Sequence, residues 1–463
     1  MKIPRILLAA GASGSGKTLI TCGFLQALVN RGLKVASFKC GPDYIDPMFH
    51  RQVIGTKSAN LDTFFASETC VRYLLNKNAT DCDVAVMEGV MGYYDGVAGT
   101  STRASAYDVA DVTDTPVILI VNSKGMSLSL AAYIKGFLEF KENSHIRGVI
   151  FNQMSPMLYP RMKCLVEEMG VRALGYVPVV KDCVIESRHL GLVLPEEVTE
   201  LKEKLMALAK ILEETLDIDG ILELAQNAGK LESETDALWE SLLCQENSAF
   251  AYRAPRPLRI GLADDEAFCF FYKDNFRLLE KMGAELVPFS PVHDKKLPEN
   301  LDGMLLYGGY PELHGRELEE NETMRNSIRE ALKKGMPCMA ECGGFMYLHE
   351  EMEDIDGNPH KMVGAIAGKV FKTNRLTRFG YIELQKNEKP EANRIPAHEF
   401  HYFDSTNCGE AYLASKPLSH RSWNCIHATE NIFAGFPHLY YYGNPEVPKR
   451  FLEKCLAYKE KTV

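Results

Sequence analysis

The most constraining feature of the chain is its segment 11–18, Gly-Ala-Ser-Gly-Ser-Gly-Lys-Thr, which has the spacing G-x-x-x-x-G-K-T. An apolar run at residues 5–10 precedes it, and residues 19–30 follow with helical periodicity. In a strand–loop–helix unit, glycines let backbone N–H groups surround phosphate oxygens, and the N-terminal end of the helix adds positive potential. The segment therefore predicts a phosphate-binding loop at the edge of a parallel sheet, rather than an ordinary glycine turn.

The residues of this loop have separate expected roles. Gly11, Gly14 and Gly16 allow the backbone to turn inward, and Lys17 reaches the terminal phosphates of a nucleotide. The hydroxyl of Thr18 is a ligand for Mg²⁺ in loops of this spacing. The first half of the chain is therefore predicted to bind ATP together with Mg²⁺.

Acidic residues follow the apolar strands on either side of this unit. Asp43 and Asp46 come after the strand pattern at 34–39, and Glu88 and Asp95 lie at and beyond the end of the next one. Acids at the carboxyl ends of parallel strands face the crevice where ligands bind, and Mg²⁺ prefers hard oxygen ligands. We predict Asp43 and Glu88 as metal ligands, with Asp46 and Asp95 close to the substrate; a helix cap or a solvated loop is the alternative for each acid alone.

Strand and helix patterns alternate in two series along the 463 residues, which are too many for one hydrophobic core. The first series predicts a doubly wound parallel sheet in an α/β domain over residues 1–245, including charged, Leu-rich helical sequence near its end. Residues 246–257 contain two prolines and two arginines and are predicted to be a linker. A second α/β domain is predicted over residues 258–463.

The second half carries a pattern typical of a nucleophilic cysteine. A strand ending at Ala340 is followed by Glu-Cys-Gly-Gly and a helical stretch, so Cys342 is expected on a sharp turn where the helix N-terminus favours the thiolate. His438 is the predicted general base. Backbone N–H groups of Gly309 and Gly343 are predicted to form an oxyanion hole. The spacing in His-Glu-Phe-His at 398–401 is one residue short of a zinc helix, so zinc catalysis is not predicted.

Composition excludes several other classes of protein. The net charge of −10 argues against a surface that coats nucleic acid. The apolar run at 5–10 is too short to span a bilayer, so no membrane partner is expected. Thirteen cysteines are scattered without a C-x-x-C pair. Reduced thiols and a cytoplasmic location are therefore expected.

Several long motifs, in order, resemble the cobyrinate a,c-diamide synthase family, the glutamine-dependent amidoligases of cobalamin biosynthesis. The first half is similar to that family's dethiobiotin-synthetase-like ATPase domain, and the second half resembles its triad-type, class I-like glutamine amidotransferase domain. The motifs that carry the resemblance are residues 11–18, 39–46, 88–96, 187–192, 265–268, 308–312, 340–344 and 398–401.

The resemblance implies that Cys342 and His438 release ammonia from glutamine, and that ATP activates corrinoid carboxylates at the a and c acetate side chains. It also implies that Asn152 reads the adenine base, with a strand-end cap as the alternative. Arg188 and His189 would anchor substrate carboxylates, with internal salt bridges as the alternative. Corrinoid, glutamine and ATP are thus the expected small-molecule partners, and a homodimer is left open.

Two positions differ from the usual pattern of related amidotransferases. Tyr440 replaces a second histidine, and it also occupies the position two residues after His438 where many relatives have a glutamate. Ala397 stands where a glycine is common. The sequence therefore leaves open which residue orients His438.

Other functions compete with this interpretation. A nickel-sirohydrochlorin a,c-diamide synthase would use the same chemistry on another tetrapyrrole, and cobyric acid synthase is a weaker rival. A P-loop regulatory ATPase with a partner-binding second domain belongs to another class. A tetrapyrrole carrier without catalysis would leave the phosphate loop unexplained.

Overall fold

The computed structural model describes residues 3–180, 195–231, 249, 252–376, 378–388 and 394–462. The chain divides into two compact units, Met1–Trp239 and Glu240–Val463. The proposed linker at 246–257 is only partly described, so the domain limits derived from the sequence stay predictions. Among the described residues, no helix has the length and apolar character that crossing a bilayer requires.

The first unit contains a parallel sheet whose described strands lie in the order β3-β2-β4-β1-β5-β6-β7. The strands are β1 Arg5–Ala10, β2 Val35–Cys40, β3 Lys57–Leu61, β4 Val84–Glu88, β5 Val117–Asn122, β6 Ile146–Asn152 and β7 Arg172–Val177. The helices are Lys17–Asn30, Ile45–Phe49, Glu68–Ala79, Ala106–Val112, Ser129–Glu139, Tyr159–Glu167, Pro195–Thr215 and Ile218–Gln226, with a π-helical turn at His50–Ile54 and a 3₁₀ turn at Val97–Gly99.

The apolar run that precedes the phosphate loop forms β1, which is buried along its whole length. The Leu-rich segment beyond residue 195 forms the helix Pro195–Thr215, and its Leu208 and Leu212 pack against the helix that follows the loop. A Cβ on Gly23 would lie 2.7 Å from Leu208 Cγ, so glycine permits this close helix contact. The predicted doubly wound α/β fold is confirmed for this half.

The second unit contains a sheet in the order β20-β21-β11-β10-β8-β9, parallel except for β20. Two further sheets have the orders β13-β12-β14-β17 and β19-β18-β15-β16-β22. The strands are β8 Leu258–Ala263, β9 Ala284–Phe289, β10 Gly303–Leu306, β11 Cys338–Glu341, β12 His349–Glu353, β13 Pro359–Lys361, β14 Ile366–Lys372, β15 Arg378–Lys386, β16 Ile395–His401, β17 Phe403–Ser405, β18 Tyr412–Ser415, β19 Ser422–Cys425, β20 His427–Ala428, β21 Ile432–Gly435 and β22 His438–Leu439.

The described helices of this unit are Lys273–Lys281, Gly315–Glu320, Glu322–Lys333, Gly343–Tyr347 and Glu446–Thr462, with 3₁₀ turns at Pro311–Leu313 and Tyr441–Gly443. The strands predicted after residue 258 form the mostly parallel sheet, so the predicted α/β class holds here as well. The sequence did not anticipate the two sheets made of β12–β19 and β22. They matter for the site because β16 and β22 carry its histidines.

Candidate active site

The phosphate loop lies between β1 and the helix that begins at Lys17. Gly14 and Gly16 have φ angles of 76° and 84°, in the left-handed region that favours glycine. A Cβ on Gly11 would lie 1.6 Å from the hydroxyl oxygen of Tyr133, so a larger residue there would require the Tyr133 side chain to move. The loop therefore has the backbone shape that turns N–H groups inward, as the sequence predicts.

Lys17 points along this loop toward the segment after β4. Its Nζ donates a hydrogen bond of 2.7 Å to the backbone oxygen of Met91. Burial, helped by the nearby charge of Lys39, lowers the pKa of Lys17 to about 8. An anionic phosphate beside this ammonium would favour its charged form, so the site gains from binding one.

Thr18, Glu88 and Lys39 form a buried polar cluster at the ends of β2 and β4. The Thr18 hydroxyl donates a hydrogen bond of 2.7 Å to Glu88 Oε1, and Lys39 Nζ donates one of 2.8 Å to the same oxygen. Lys39 also pairs with Asp46. Burial opposes the charge of Lys39, but Glu88 and Asp46 outweigh it and raise the pKa of Lys39 above its ordinary value.

The second oxygen of Glu88 has different surroundings. Glu88 Oε2 is buried, forms no hydrogen bond with any described residue, and lies 3.7 Å from His50 Nε2. Burial raises the pKa of Glu88 to about 7 and lowers that of His50 to about 4, so the imidazole is neutral at pH 7. A buried carboxylate oxygen without a hydrogen bond needs an explanation, and a cation is one.

The two aspartates after β2 have different environments. Asp43 Oδ1 accepts hydrogen bonds from the backbone N–H groups of Ile45 and Asp46, at 2.9 and 3.1 Å, and so caps the short helix there. Burial, followed by the charge of Asp46, raises the pKa of Asp43 to about 6. Burial also acts on Asp46, but Lys39 outweighs it and lowers the pKa of Asp46. The cap is the alternative that the sequence left open, and it occupies one oxygen of Asp43.

These residues fit a magnesium ion that is held jointly by protein and nucleotide. Thr18 and Glu88 place a hydroxyl and a carboxylate next to each other, and these are hard oxygen donors of the kind Mg²⁺ takes. No cluster of three or more His, Cys, Asp or Glu in the described segments forms a complete protein cage for a metal. Mg²⁺ sites of this class use one or two protein ligands plus phosphates and waters.

Asp95 and Asn152 both border the loop. Asp95 Oδ2 accepts a hydrogen bond of 3.0 Å from the backbone of Gly92. Asn152, at the end of β6, donates a hydrogen bond of 2.8 Å from Nδ2 to the backbone oxygen of Ser15, and its Oδ1 accepts one from Gln153. Asn152 thus supports the phosphate loop directly, and its reading of adenine stays a prediction. Arg188 and His189 lie outside the described residues.

In the second unit, Cys342 follows β11 on a strained turn. Its φ and ψ are 46° and −106°, values that a non-glycine residue adopts only where surrounding contacts enforce them. Its N–H donates a hydrogen bond of 2.8 Å to the oxygen of Gly435, the last residue of the adjacent parallel strand β21. The turn is therefore tied to the segment that leads to the candidate base.

His438 and Cys342 face a common point at Gly308. A Cβ on Gly308 would lie 2.6 Å from His438 Cε1 and 3.4 Å from Cys342 Cβ. Both residues are almost fully buried. The structure therefore brings together the predicted nucleophile and the predicted base, 96 positions apart in sequence.

The two glycines of the predicted oxyanion hole are also neighbours. A Cβ on Gly343 would lie 3.1 Å from the backbone nitrogen of Gly309. Because Gly343 directly follows Cys342, this places two backbone amides beside the nucleophile. The arrangement is compatible with a hole that binds a developing oxyanion.

Burial favours the neutral forms of both Cys342 and His438. Burial, followed by the charge of Glu312, raises the pKa of the Cys342 thiol well above its ordinary value. The expectation that the helix N-terminus favours a thiolate is therefore wrong for this site, because desolvation outweighs the helix end. Burial and the neighbouring His401 lower the pKa of His438 to about 3.

The segment 398–401 belongs to this site and holds no metal cluster of its own. His398 is paired with His438 between β16 and β22, and their rings stack with centroids 4.9 Å apart. Glu399 is buried and accepts hydrogen bonds from His401 Nε2 at 3.0 Å and from Trp423 Nε1 at 3.3 Å. The segment therefore lies at the cysteine site, beside the candidate base His438.

Some residues of both sites escaped the sequence analysis. Lys39 and His50 contact Glu88. Lys39 could have been noticed in the sequence because it is a charged residue at the end of an apolar strand. Gly308 lies next to both the candidate nucleophile and the candidate base. Its position after a strand was the only sequence feature that could have indicated this place. Glu341 lies beside His438, and its signal was an acid at the buried end of a strand.

Two family models match the chain. Residues 6–192 match the CobQ/CobB/MinD/ParA nucleotide binding domain, and residues 259–445 match the CobB/CobQ-like glutamine amidotransferase domain. The first match contains the phosphate loop with Lys39 and Glu88, and the second contains Cys342 and His438.

Relatives match along nearly the whole chain. The cobyrinate a,c-diamide synthase of Caldanaerobacter subterraneus subsp. tengcongensis is 36% identical over 466 residues, covering 99% of this chain and 100% of the relative. The protein of that name from Listeria innocua is 37% identical over 454 residues, covering 96% and 97%. The one from Thermoplasma volcanium is 36% identical over 471 residues, covering 100% and 99%.

Proposed function

The chain belongs to the cobyrinate a,c-diamide synthase family, and on that premise we propose that it amidates the a and c acetate carboxylates of cobyrinic acid, using ATP and glutamine. The observation that supports this most is the presence of two different sites in one chain. One is a phosphate loop whose Thr18 contacts a buried glutamate, and the other is a Cys342–His438 pair that meets at Gly308. Each site supplies one half of an amidoligase reaction.

In the glutaminase half, Cys342 Sγ attacks the side-chain carbonyl carbon of glutamine. His438 takes the thiol proton and later gives it to the leaving nitrogen, so that ammonia departs and a thioester remains. Water then hydrolyses the thioester to glutamate and restores the thiol. The N–H groups of Gly309 and Gly343 would stabilise the oxyanion of each tetrahedral intermediate.

The neutral resting state of the pair suits this order of events. A buried thiol with a raised pKa does not react before substrate arrives, and a buried imidazole is a base that starts without a proton. Glutamine would complete the charge-stabilising contacts of the site when it binds. Idle oxidation of the thiol would be limited in the same way.

In the synthetase half, a carboxylate oxygen of the corrinoid attacks the γ-phosphorus of ATP, and ADP leaves. Ammonia then attacks the carbonyl carbon of the acyl phosphate, and phosphate leaves as the amide forms. Lys17 and the loop amides would bind the phosphoryl oxygens as charge builds on them. Lys39 would hold Glu88 and Asp46 in place, since it pairs with both.

ATP is the substrate and Mg²⁺ the proposed metal of this half. Thr18 and Glu88 would hold the ion, with Asp43 as the second carboxylate. When bound, Mg²⁺ would neutralise negative charge on the phosphates and orient them. Glu88 Oε2, which is buried and lacks a hydrogen bond to the described residues, is the oxygen best suited to it.

The remaining partners follow from the same proposal. Arg188 and His189 would contact substrate carboxylates, and Asp46 and Asp95 would lie near the corrinoid. We place the enzyme in the cytoplasm, where the cysteines that are free in the described residues would stay reduced. A homodimer is the assembly to test, by light scattering of the purified chain.

The decisive experiment is a mass-resolved product assay with ATP, Mg²⁺ and glutamine, offering cobyrinic acid and nickel-sirohydrochlorin in parallel. If the proposal is right, the mass of cobyrinic acid should change in two successive steps, each corresponding to the conversion of one carboxylate to an amide. Amidation of the nickel compound alone would keep the mechanism and replace the substrate. ATP hydrolysis with no amidation of either compound would replace the proposal with a regulatory ATPase.

The Cys342→Ala variant tests the mechanism, and Cys164→Ala is its matched control. Cys342→Ala should lose amidation with glutamine and keep it when ammonium chloride replaces glutamine. Cys164→Ala, at an exposed cysteine in the first unit, should retain both activities. Loss of the ammonia-dependent reaction in Cys342→Ala would argue against two separable half-reactions.

A further inference from the structure

Glu341 lies in contact with the candidate base although it belongs to a different strand. It is the last residue of β11, directly before the nucleophile, and its side chain is 4% exposed. Its Oε2 lies 3.8 Å from His438 Nδ1 and accepts a hydrogen bond of 3.3 Å from the N–H of Leu439. One carboxylate oxygen therefore contacts two consecutive residues of β22.

The other oxygen has no such contact. Glu341 Oε1 is buried and makes no hydrogen bond with any residue that the structure describes. Burying a carboxyl group with one oxygen unsatisfied costs free energy. An acid that is retained at this cost beside the nucleophile invites a role in the reaction.

A histidine that serves as general base needs a defined tautomer. Nε2 must be free to accept the thiol proton, so Nδ1 must carry the other proton and donate it to an acceptor. In many related amidotransferases the acceptor is a glutamate two residues after the histidine. Here that position is Tyr440, whose hydroxyl instead donates a hydrogen bond of 3.4 Å to Asp274.

We propose that Glu341 is the positioning residue for His438, so that the acid comes from the strand of the cysteine instead of the strand of the histidine. This inference rests on the proposed glutaminase reaction. Nδ1–H of His438 donates to Glu341 Oε2, and Nε2 accepts the proton of Cys342. The distance of 3.8 Å shortens to a hydrogen bond as the imidazolium forms, as is common for catalytic contacts of a resting site.

The local electrostatics agree with this role. Burial raises the pKa of Glu341 to about 8, so its ionised form depends on a neighbouring positive charge. A positive imidazolium at His438 would lower the pKa of this carboxyl group, so glutamine hydrolysis is expected to proceed from the form of the site in which Glu341 has already lost its proton to solvent. The other titratable groups that face the pair are Cys342 on the turn, His398 and His401 on β16, and Tyr307 and Tyr441 beside the carboxyl group. The charges of Glu312 and Glu399 also act on Cys342.

The test compares Glu341→Gln and Glu341→Asp with the wild type in steady-state glutamine hydrolysis. Glu341→Gln should lower kcat by on the order of 10²-fold or more with little change in KM, since the base loses its orientation and its charge partner. Glu341→Asp should recover part of the rate. Glu330→Gln, on the exposed face of the helix Glu322–Lys333, is the matched control and should match the wild type.

The pH profile separates positioning from general damage. Without the carboxylate, burial and the charge of His401 still lower the pKa of His438 and no acidic partner opposes them, so the acid limb of kcat/KM should move to lower pH in Glu341→Gln. A purely structural role would lower the rate and leave the limb in place. Either an unmoved limb or an unchanged kcat would overturn the inference.

A spectroscopic measurement covers the case in which the variants do not fold. In wild-type protein labelled with ¹⁵N-histidine, the His438 signals, assigned from His438→Asn, should report a proton on Nδ1 at neutral pH. A proton on Nε2 would overturn the inference. Failure of the proposed function would look different, because the wild type would then not amidate cobyrinic acid even with ammonia.

Discussion

Asn152 Nδ2 lies so close to Gly16 that a Cβ built on this glycine would be only 2.2 Å from it. The same amide group donates a hydrogen bond of 2.8 Å to the backbone oxygen of Ser15. The end of β6 therefore holds the phosphate loop in place, and the loop requires glycine at Gly16 both for its φ of 84° and for this contact.

We expect Gly16→Ala to weaken ATP binding far more than Gly14→Ala. Both glycines have positive φ, so both variants carry backbone strain of about 1 kcal/mol, but the position of Gly14 opens into free space. The added clash with Asn152 should cost Gly16→Ala at least a further tenfold in Kd, or about 1.4 kcal/mol. Isothermal titration calorimetry with ATP and Mg²⁺ measures the Kd for ATP of the two variants. Equal losses in the two variants would contradict the role of Asn152.

Lys39→Met should destabilise the first unit by about 3–5 kcal/mol, because removing one partner of a buried ion pair leaves an uncompensated charge. Lys39 is the cation between Glu88 and Asp46, and all three are buried. The free energy of unfolding in urea gives the measurement. Lys34→Met, at an exposed position before the same strand, is the control. A loss in Lys39→Met no larger than in that control would show that the carboxyl groups neutralise themselves by binding protons.

Asn275→Ala should destabilise the second unit by about 2–4 kcal/mol and also lower the glutaminase kcat. Its buried side chain donates a hydrogen bond of 2.9 Å to the backbone oxygen of Leu439 and accepts one of 2.8 Å from the N–H of Tyr441. Truncation leaves two buried backbone groups unpaired, at roughly 1–3 kcal/mol each. Asn275→Asp keeps the acceptor and should lose less. Urea unfolding and glutamine hydrolysis measure the two effects, and a wild-type kcat in Asn275→Ala would show that the segment after His438 is held in other ways.

His360 should contribute stability that is present in acid and lost in base. Its Nδ1 lies 2.9 Å from Glu319 and its Nε2 lies 3.1 Å from Asp354. Burial opposes its charge, but the carboxyl groups of Asp354 and Glu319 outweigh burial and raise the pKa of His360. The contribution is then complete below about pH 6.5, the ordinary pKa of histidine, and disappears as pH rises through the higher folded value.

Replacing this histidine should therefore matter only at low pH. The difference in unfolding free energy between wild type and His360→Gln should be no more than about 1 kcal/mol at pH 6, as expected for a partly exposed ion pair. It should shrink toward zero above the folded pKa. Urea titrations at pH 6 and pH 9 provide the comparison. A difference in unfolding free energy that grows with pH would contradict a raised pKa of His360 in the folded state.

The first half of the molecule was predictable because its signals are local. The apolar run of β1, the glycine spacing and the helix that follows occupy consecutive residues, and parallel sheets follow from alternating elements. Glu88 was found because an acid at a strand end is unusual. Lys39 and His50 were missed, because their meeting with Glu88 requires the sheet order β2-β4 and a π-helical turn.

The second half was less predictable beyond its mostly parallel sheet. The antiparallel strands β16 and β22 give weak periodic signals, because the buried residues of β16 do not alternate regularly and β22 has only two residues. The pairing of His398 with His438 therefore could not be read from the pattern. The sign of the pKa shift at Cys342 was also wrong, because burial depends on every element packed around the turn.

The sequence by itself determined the α/β class and the family, and it predicted the nucleophile. It could do so because the glycine spacing, the lysine and threonine that follow it, and a cysteine at a strand end are local features of the chain. Only the tertiary structure decided how the groups are combined. It set Glu88 between Thr18 and Lys39, and it set Glu341 beside His438. Such contacts join residues far apart in the chain, and their electrostatics depend on burial that no local pattern records.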